Sequence, residues 1–340
     1  MIFFRVEALI CALSLVVLSG AHRAIRPRAL PSSQTATSDA LQPARTNTSS
    51  ISTRATYVPD HRDWEYLNGI PWWKTDATQQ DHLRFHAYLS MAAYGDYAAL
   101  CPSTFPKGFT VLENFNTEDG QAGFTALIPD MDKVVIVFRG YEDYRALDWS
   151  EASIEDLVTH CQGCTVAAGV KKLYLSAKAA TNNWQVAKKA VAAHCVVLDP
   201  SQPDKKKCIK FSVTGHAMGG AVAALAAMDL GATGDVHYSH NQAMARVFNY
   251  ASVVRYDNLF QALAGQSIVA KDDYMVQIIP LGKFSHVGTK VVILGEMQQW
   301  LINCYGNNEN STCLGTGNNY AIHDNYFTPK GQCGTAHKAW

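Results

Sequence analysis

Net charge is the first thing this sequence does not have. Lys and Arg total 29, Asp and Glu total 29, and a chain without basic excess offers no electrostatic footprint to a nucleic-acid backbone. No nucleic-acid partner is expected. The one dense basic cluster, Lys205-Lys206-Lys207, reads as a solvated loop, with a weak membrane-surface contact as the sharper alternative. Long apolar runs are also missing. The longest, Ala8 to Leu18, falls short of the ~20 residues that span a bilayer, so no transmembrane segment is expected. The 12 histidines are scattered. None sits in a His-Glu-x-x-His spacing or a cysteine–histidine finger pattern, which excludes the commoner metal signatures. No internal repeat is visible.

What is present suits a globular protein. The chain has 340 residues, of which 48% are hydrophobic and 17% charged, enough to bury a substantial core. At the N-terminus, Arg5 precedes the Ala8–Leu18 run and Ser19-Gly20-Ala21 offers small residues for cleavage. Residues 1–21 therefore read as a signal peptide. Residues 22–56 are rich in Ser, Thr, Pro, Ala and Arg with almost no large apolar side chains, and read as a disordered leader or pro-segment. Residues 57–340 read as one domain.

Secretion changes the meaning of the cysteines. Of nine, Cys11 lies in the signal segment; Cys101, Cys161, Cys164, Cys195, Cys208, Cys304, Cys313 and Cys333 remain. An even number in an oxidising compartment points to disulfides, with pairing left open by spacing alone. Cys161-Gln162-Gly163-Cys164 has no second pair of its kind and reads as a small structural loop. Two sequons, at Asn47 and Asn310, are candidate glycosylation sites.

Strand-like and helical segments alternate. Lys133 to Phe138 (KVVIVF) is a continuous β-branched run of the kind found in buried parallel strands. Ile209 to Val213, Ala245 to Ala251, Ile268 to Ala270 and Thr289 to Leu294 are further strand candidates. His82 to Ala98 carries apolar residues at helical spacing, Gly169 to Val196 reads as one long helix, and Ala221 to Leu230 as a buried one. The expected class is α/β, with a mostly parallel sheet covered by helices on both faces.

Between the strand ending at Val213 and the Ala-rich helix lies Gly215-His216-Ala217-Met218-Gly219. This is the Gly-x-Ser-x-Gly elbow of the α/β-hydrolase fold, a strained turn that lifts a nucleophilic hydroxyl above the sheet. Here the nucleophile position holds Ala217. Downstream come Lys271-Asp272-Asp273-Tyr274-Met275 and then His323-Asp324-Asn325-Tyr326-Phe327, in the chain order nucleophile, acid, histidine.

These pieces, together with Phe138-Arg139-Gly140 after a buried strand and the Cys161–Cys164 loop, resemble the fungal class 3 lipases and the related type A feruloyl esterases. The resemblance runs from about His82 to Cys333 and departs at Ala217, mildly at Met218, and at Tyr141, where the family usually has Ser or Thr. It implies an α/β-hydrolase fold stabilised by disulfides Cys101–Cys333, Cys161–Cys164 and Cys304–Cys313, with Cys195 and Cys208 as the remaining pair. It further implies His323 as base and Asp273 as orienting acid, with Asp272 as the competing choice. The backbone N–H groups of Tyr141 and Met218 would form the oxyanion hole. Gly215 and Gly219 would shape the elbow, and His216 would pack beneath it. Glu142 to Leu157 falls where these lipases carry an amphipathic lid, and Leu147, Trp149, Ile154 and Leu157 are its candidate covering residues; an ordinary surface helix is the plain alternative. Ester hydrolysis of this kind needs no cofactor, and the implied ligands are lipids or other carboxylic esters met at a lipid–water interface.

A methyl group cannot attack a carbonyl. Loss of the serine of such a triad lowers turnover by about 10⁶-fold, so the chain is expected to be nearly inert as an esterase. Three readings follow: a secreted lipase-like protein that binds esters without cleaving them, an esterase whose serine has been replaced, and an interaction module on a lipase fold.

Overall fold

The structure, a computed structural model, describes residues 73–334 apart from 75–76, 104, 106–108, 159–160, 199, 203–205, 232–237, 243, 245–247, 250–264, 272, 278–282, 295–299 and 305–318. The signal peptide, the leader, both sequons (Asn47 and Asn310), Asp272, Lys205 and Cys313 lie outside the described residues.

The main sheet has nine strands: β1 Trp73–Lys74, β2 Thr110–Asn116, β3 Ala122–Ile128, β4 Lys133–Phe138, β5 Lys210–His216, β6 Tyr238–Gln242, β7 Gln266–Ala270, β8 Thr289–Leu294 and β9 Trp300–Cys304. Their order is β1-β9-β8-β7-β6-β5-β4-β3-β2. The five strands β4 to β8 run parallel. Antiparallel pairs flank them, β2–β3–β4 on one side and β8–β9–β1 on the other. The helices are α1 Ala77–Ala92, α2 Tyr97–Leu100, α3 Ala168–Ala180, α4 Gln185–Ala193 and α5 Met218–Gly231. This is the α/β-hydrolase arrangement the sequence pointed to.

Why β4 carries no polar alternation is plain from its surroundings. Val134, Ile136 and Phe138 join one core cluster with α3 and α5, while Val135 and Val137 join another with Phe85 and Leu89 of α1. A strand covered on both faces is apolar on both, here from Val134 to Phe138 after Lys133, and each fully buried large side chain contributes about 1.5–3 kcal/mol. Helix α5 is apolar nearly all round for the same reason; Ala221 to Leu230 is buried apart from Asp229.

Two expectations are corrected. The long helix over 169–196 is broken into α3 and α4 by Asn182, Asn183 and Trp184, all with positive φ. Asn tolerates the left-handed region, and the turn drives the Trp184 ring, fully buried, among Phe115, Phe138 and Tyr174. Burial of the largest side chain in the core outweighs helix continuity. Of the strand expected over Ala245–Ala251, the described residues Phe248–Asn249 form a strand, but not in the main sheet. It pairs with Phe284–Ser285 and with Thr165–Ala167 in a small four-stranded sheet completed by Glu151–Ser153.

Disulfides join Cys101 to Cys333, Cys161 to Cys164 and Cys195 to Cys208. The fourth expected pair, Cys304–Cys313, reaches outside the described residues.

Candidate active site

Strand β5 delivers the elbow. Ala217 separates the end of β5 from the first residue of α5 and has φ 53°, a left-handed backbone that costs a residue with a Cβ about 1–2 kcal/mol. The neighbouring glycines are fixed by close approach. A Cβ on Gly215 would lie 2.2 Å from the Gly219 carbonyl oxygen, and one on Gly219 would lie 2.4 Å from that of Arg139. A Cβ on Gly140 would meet the Tyr94 hydroxyl at 2.1 Å and stand 3.3 Å from the Ala217 Cβ. Gly140 thus brings the Phe138-Arg139-Gly140 loop against the elbow. The turn between strand and helix has the left-handed backbone expected of an elbow, and the side chain on it is a methyl.

Asp273 is fully buried just beyond β7, and its carboxylate is saturated with donors. Oδ2 lies 2.9 Å from His323 Nδ1 and accepts from the Tyr326 hydroxyl at 2.7 Å, while Oδ1 accepts from the Met275 N–H at 2.9 Å. The Tyr326 hydroxyl in turn accepts from the Ala270 N–H at 2.9 Å. Burial, reinforced by the Asp273 charge, raises the Tyr326 phenol well above its ordinary value, so it remains a donor. With Nδ1 donating to the carboxylate, His323 presents Nε2 as its free lone pair.

His323 comes from a segment with little regular structure, held from both ends. Gly331 N–H bonds the Met91 carbonyl of α1 at 2.9 Å, and Cys333 is tied to Cys101. A Cβ on Gly95 would lie 2.1 Å from the Gly331 carbonyl oxygen, so the segment is pressed onto the end of α1. The imidazole side chain is 13% exposed, whereas Asp273 is sealed. Of the pair, only His323 is open to solvent.

His216 does more than pack. Its Nδ1 lies 2.8 Å from the Tyr94 hydroxyl and its Nε2 lies 2.9 Å from the His323 carbonyl oxygen. The carbonyl can only accept, so Nε2 carries the proton and Nδ1 accepts from Tyr94. The Tyr94 hydroxyl also accepts from the Gly140 N–H at 3.0 Å. One buried chain thus links the Gly140 loop, the elbow and the histidine segment. Burial, and then the neighbouring His323, hold His216 well below the ordinary histidine value, so it stays neutral in this role. Burial likewise raises the Tyr94 phenol. Tyr94 had no sequence signal: it lies 122 positions from His216, and only the fold brings them together.

Met218 and Tyr141, the residues named for the oxyanion hole, directly follow Ala217 and Gly140, and a Cβ on Gly140 would stand 3.3 Å from the Ala217 Cβ. Met218 opens α5, where the first N–H groups lack helical carbonyl partners, and Tyr141 follows Gly140. The Tyr141 ring lies against the Gly120 turn, where a Cβ would come 2.8 Å from Cε2. Gly120, at φ 86°, leaves the space a larger residue would take from the ring.

The helix expected over 142–157, whether as a lid or as an ordinary surface helix, is corrected. Among the described residues, 142–157 form no α-helix: Tyr144–Ala146 is a 3₁₀ turn and Glu151–Ser153 a strand. Ile154 and Leu157 are buried in the core that includes Val166 and Val170, and Leu147 and Trp149 pack against it. Trp149 Nε1 donates to the Tyr144 carbonyl at 3.2 Å. The apolar positions that suggested a cover over a cleft are used to attach this segment to the small sheet and α3. Among the described residues no group of three His, Cys, Asp or Glu is placed to hold a metal ion, and no helix is long and apolar enough to cross a membrane.

The sequence model of the family described as lipase (class 3) matches residues 135–282. No curated protein sequence matches the chain. In fold it is similar to a lipase from Rhizopus microsporus var. chinensis, with a TM-score of 0.62, 21% identity, and coverage of 79% of this chain and 96% of that one. The triacylglyceride lipase of Rhizomucor miehei gives 0.61 at 19% identity, covering 77% and 100%. The Lip2 lipase of Yarrowia lipolytica gives 0.63 at 18%, covering 78% and 98%.

Proposed function

We propose that this chain, similar to the class 3 lipases over residues 135–282 and to fungal lipases in fold, is a secreted lipase-like protein that retains an ester-binding centre without its nucleophile. The carrying observation is Ala217: the elbow backbone is intact at φ 53°, with a methyl where a hydroxyl must stand. Asp273 keeps its hydrogen bonds from His323 Nδ1, the Tyr326 hydroxyl and the Met275 N–H. Tyr141, fitted against Gly120, is a second departure at the same centre and supports a natural loss of activity. Its ligands are lipids or other carboxylic esters.

A second reading, an active esterase whose serine was replaced, draws on the same preserved Asp273–His323 pair. Both make a statement about Ala217→Ser. In that variant a serine hydroxyl would attack the ester carbonyl while His323 Nε2 takes its proton. The oxyanion would rest on the N–H groups of Met218 and Tyr141, and His323 would return the proton to the departing alkoxide.

Hydrolysis of esters of several acyl lengths and of a feruloyl ester separates the readings. The parent is expected to be silent. Activity in Ala217→Ser that is abolished by adding His323→Ala means that only the nucleophile was lost. A folded but inactive serine variant means that the centre around Tyr141 has changed further and the protein acts by binding. Parent activity that survives His323→Ala would overturn both readings.

A further inference from the structure

Cys195–Val197 and Lys206–Cys208 form a two-stranded ribbon that belongs to neither of the larger sheets. Such a ribbon is marginal alone in water, and the Cys195–Cys208 disulfide clamps its base. Its apolar residues are not buried. Val196 is 66% exposed, Val197 42% and Leu198 63%, and they are three of the five large apolar residues exposed among the described residues. A consecutive apolar exposure on a ribbon outside the larger sheets marks a contact surface.

The surroundings say what it contacts. Val196 is paired across the ribbon with Lys207 and Val197 with Lys206, so each valine has an exposed lysine beside it on the same face. Residues 185–210 hold six lysines against two aspartates in a chain of zero net charge. Beneath the ribbon, a recess of about 240 Å³ lined by Val191, Ala192, Phe211 and the disulfide, with Lys188 beside them, continues the apolar surface inward. Successive strand residues point to opposite faces. Val196 and Val197 therefore make the ribbon apolar on both sides, a wedge and not a flat patch. Three side chains fall far short of the ~800 Å² per partner of a stable protein interface. A wedge of this kind suits a deformable apolar medium whose surface is negatively charged, with lysine stems in the apolar layer and ammonium groups at phosphate level.

We propose that the Cys195–Cys208 ribbon is a membrane-surface anchor, inserting Val196, Val197 and Leu198 among the acyl chains of an anionic phospholipid bilayer while Lys206 and Lys207 hold phosphates. The ribbon precedes Lys210 at the start of β5, and Ala217 follows His216 at its end. Six strand steps put about 20 Å between them, so the anchor is separate from the ester centre.

The test is sedimentation of the full chain with vesicles of phosphatidylcholine alone or mixed with phosphatidylglycerol. Binding is expected only to the mixed vesicles and to weaken with salt. Lys206→Glu with Lys207→Glu should lower the partition coefficient by at least about 25-fold, from about fivefold for each lysine removed. Val196→Ser with Leu198→Ser should lower it by about tenfold or more. In a Leu198→Trp variant, the added indole emission should shift blue on the mixed vesicles and be quenched by brominated acyl chains. Unchanged partition in both double variants, no vesicle binding by the parent, or an added indole emission that ignores lipid would overturn the proposal. So would loss, in the valine–leucine variant, of a self-association that the parent shows without lipid, since the ribbon would then join two copies of the chain.

Discussion

A buried neutral histidine leaves a measurable mark on stability, and His216 is the place to look for it. It is fully enclosed, donates from Nε2 to the His323 carbonyl and accepts from Tyr94 at Nδ1. A second proton on Nδ1 would destroy the Tyr94 bond, and burial with His323 alongside already holds its pKa well below 6.5. The unfolded chain binds that proton near pH 6.5 and the native state does not. Stability therefore falls as pH drops below about 6.5, with a slope of about 1.4 kcal/mol per pH unit. Between pH 8 and pH 4.5 this one group removes at most about 3 kcal/mol, the limit set by the unfolded-state value alone, and lowers Tm on the acid side. His216→Gln keeps a donor and an acceptor but cannot titrate. Thermal unfolding of both proteins across that range should give curves that diverge on the acid side, the parent losing more. Parallel curves would refute the argument, because they would mean that His216 is protonated as readily in the native state as in the unfolded one.

Two further outcomes follow from the same centre. Tyr326→Phe removes both the donor to Asp273 and the acceptor of the Ala270 N–H. It should lower the unfolding free energy by about 3 kcal/mol in a denaturant titration, and an unchanged midpoint would show that the carboxylate is held without it. Ala217→Gly should raise stability by about 1 kcal/mol by releasing the left-handed strain, whereas Ala217→Ser, which keeps a Cβ on the same backbone, should stay within about 0.5 kcal/mol of the parent. Destabilisation by the glycine would show that φ at Ala217 stores no strain.

Much of the architecture was legible because the signals are local. A continuous apolar run such as KVVIVF can only be covered on both faces, and Gly-x-Ala-x-Gly between a strand and an Ala-rich helix has few other uses. The order elbow, Asp273, His323 was equally readable, since it is a property of the chain. Local signals misled where burial overrode them. The helical composition of 169–196 yields at Asn182–Trp184 because the Trp184 ring gains more from the core than the helix gains from continuing. The apolar spacing of 142–157 looked like a cover, yet Ile154 and Leu157 are buried among Val166 and Val170.

The sequence by itself settled that no serine stands at the elbow, that an acid and a histidine follow it in order, and that the strands can form a parallel sheet. Those are matters of residue identity and periodicity. Only the tertiary structure decided that Tyr94 and His216 join the Gly140 loop to the His323 segment, that Tyr326 holds Asp273, and that the Cys195–Cys208 ribbon leaves its valines beside its lysines in the open. Each of these depends on groups far apart along the chain, or on exposure, and no local pattern encodes either one.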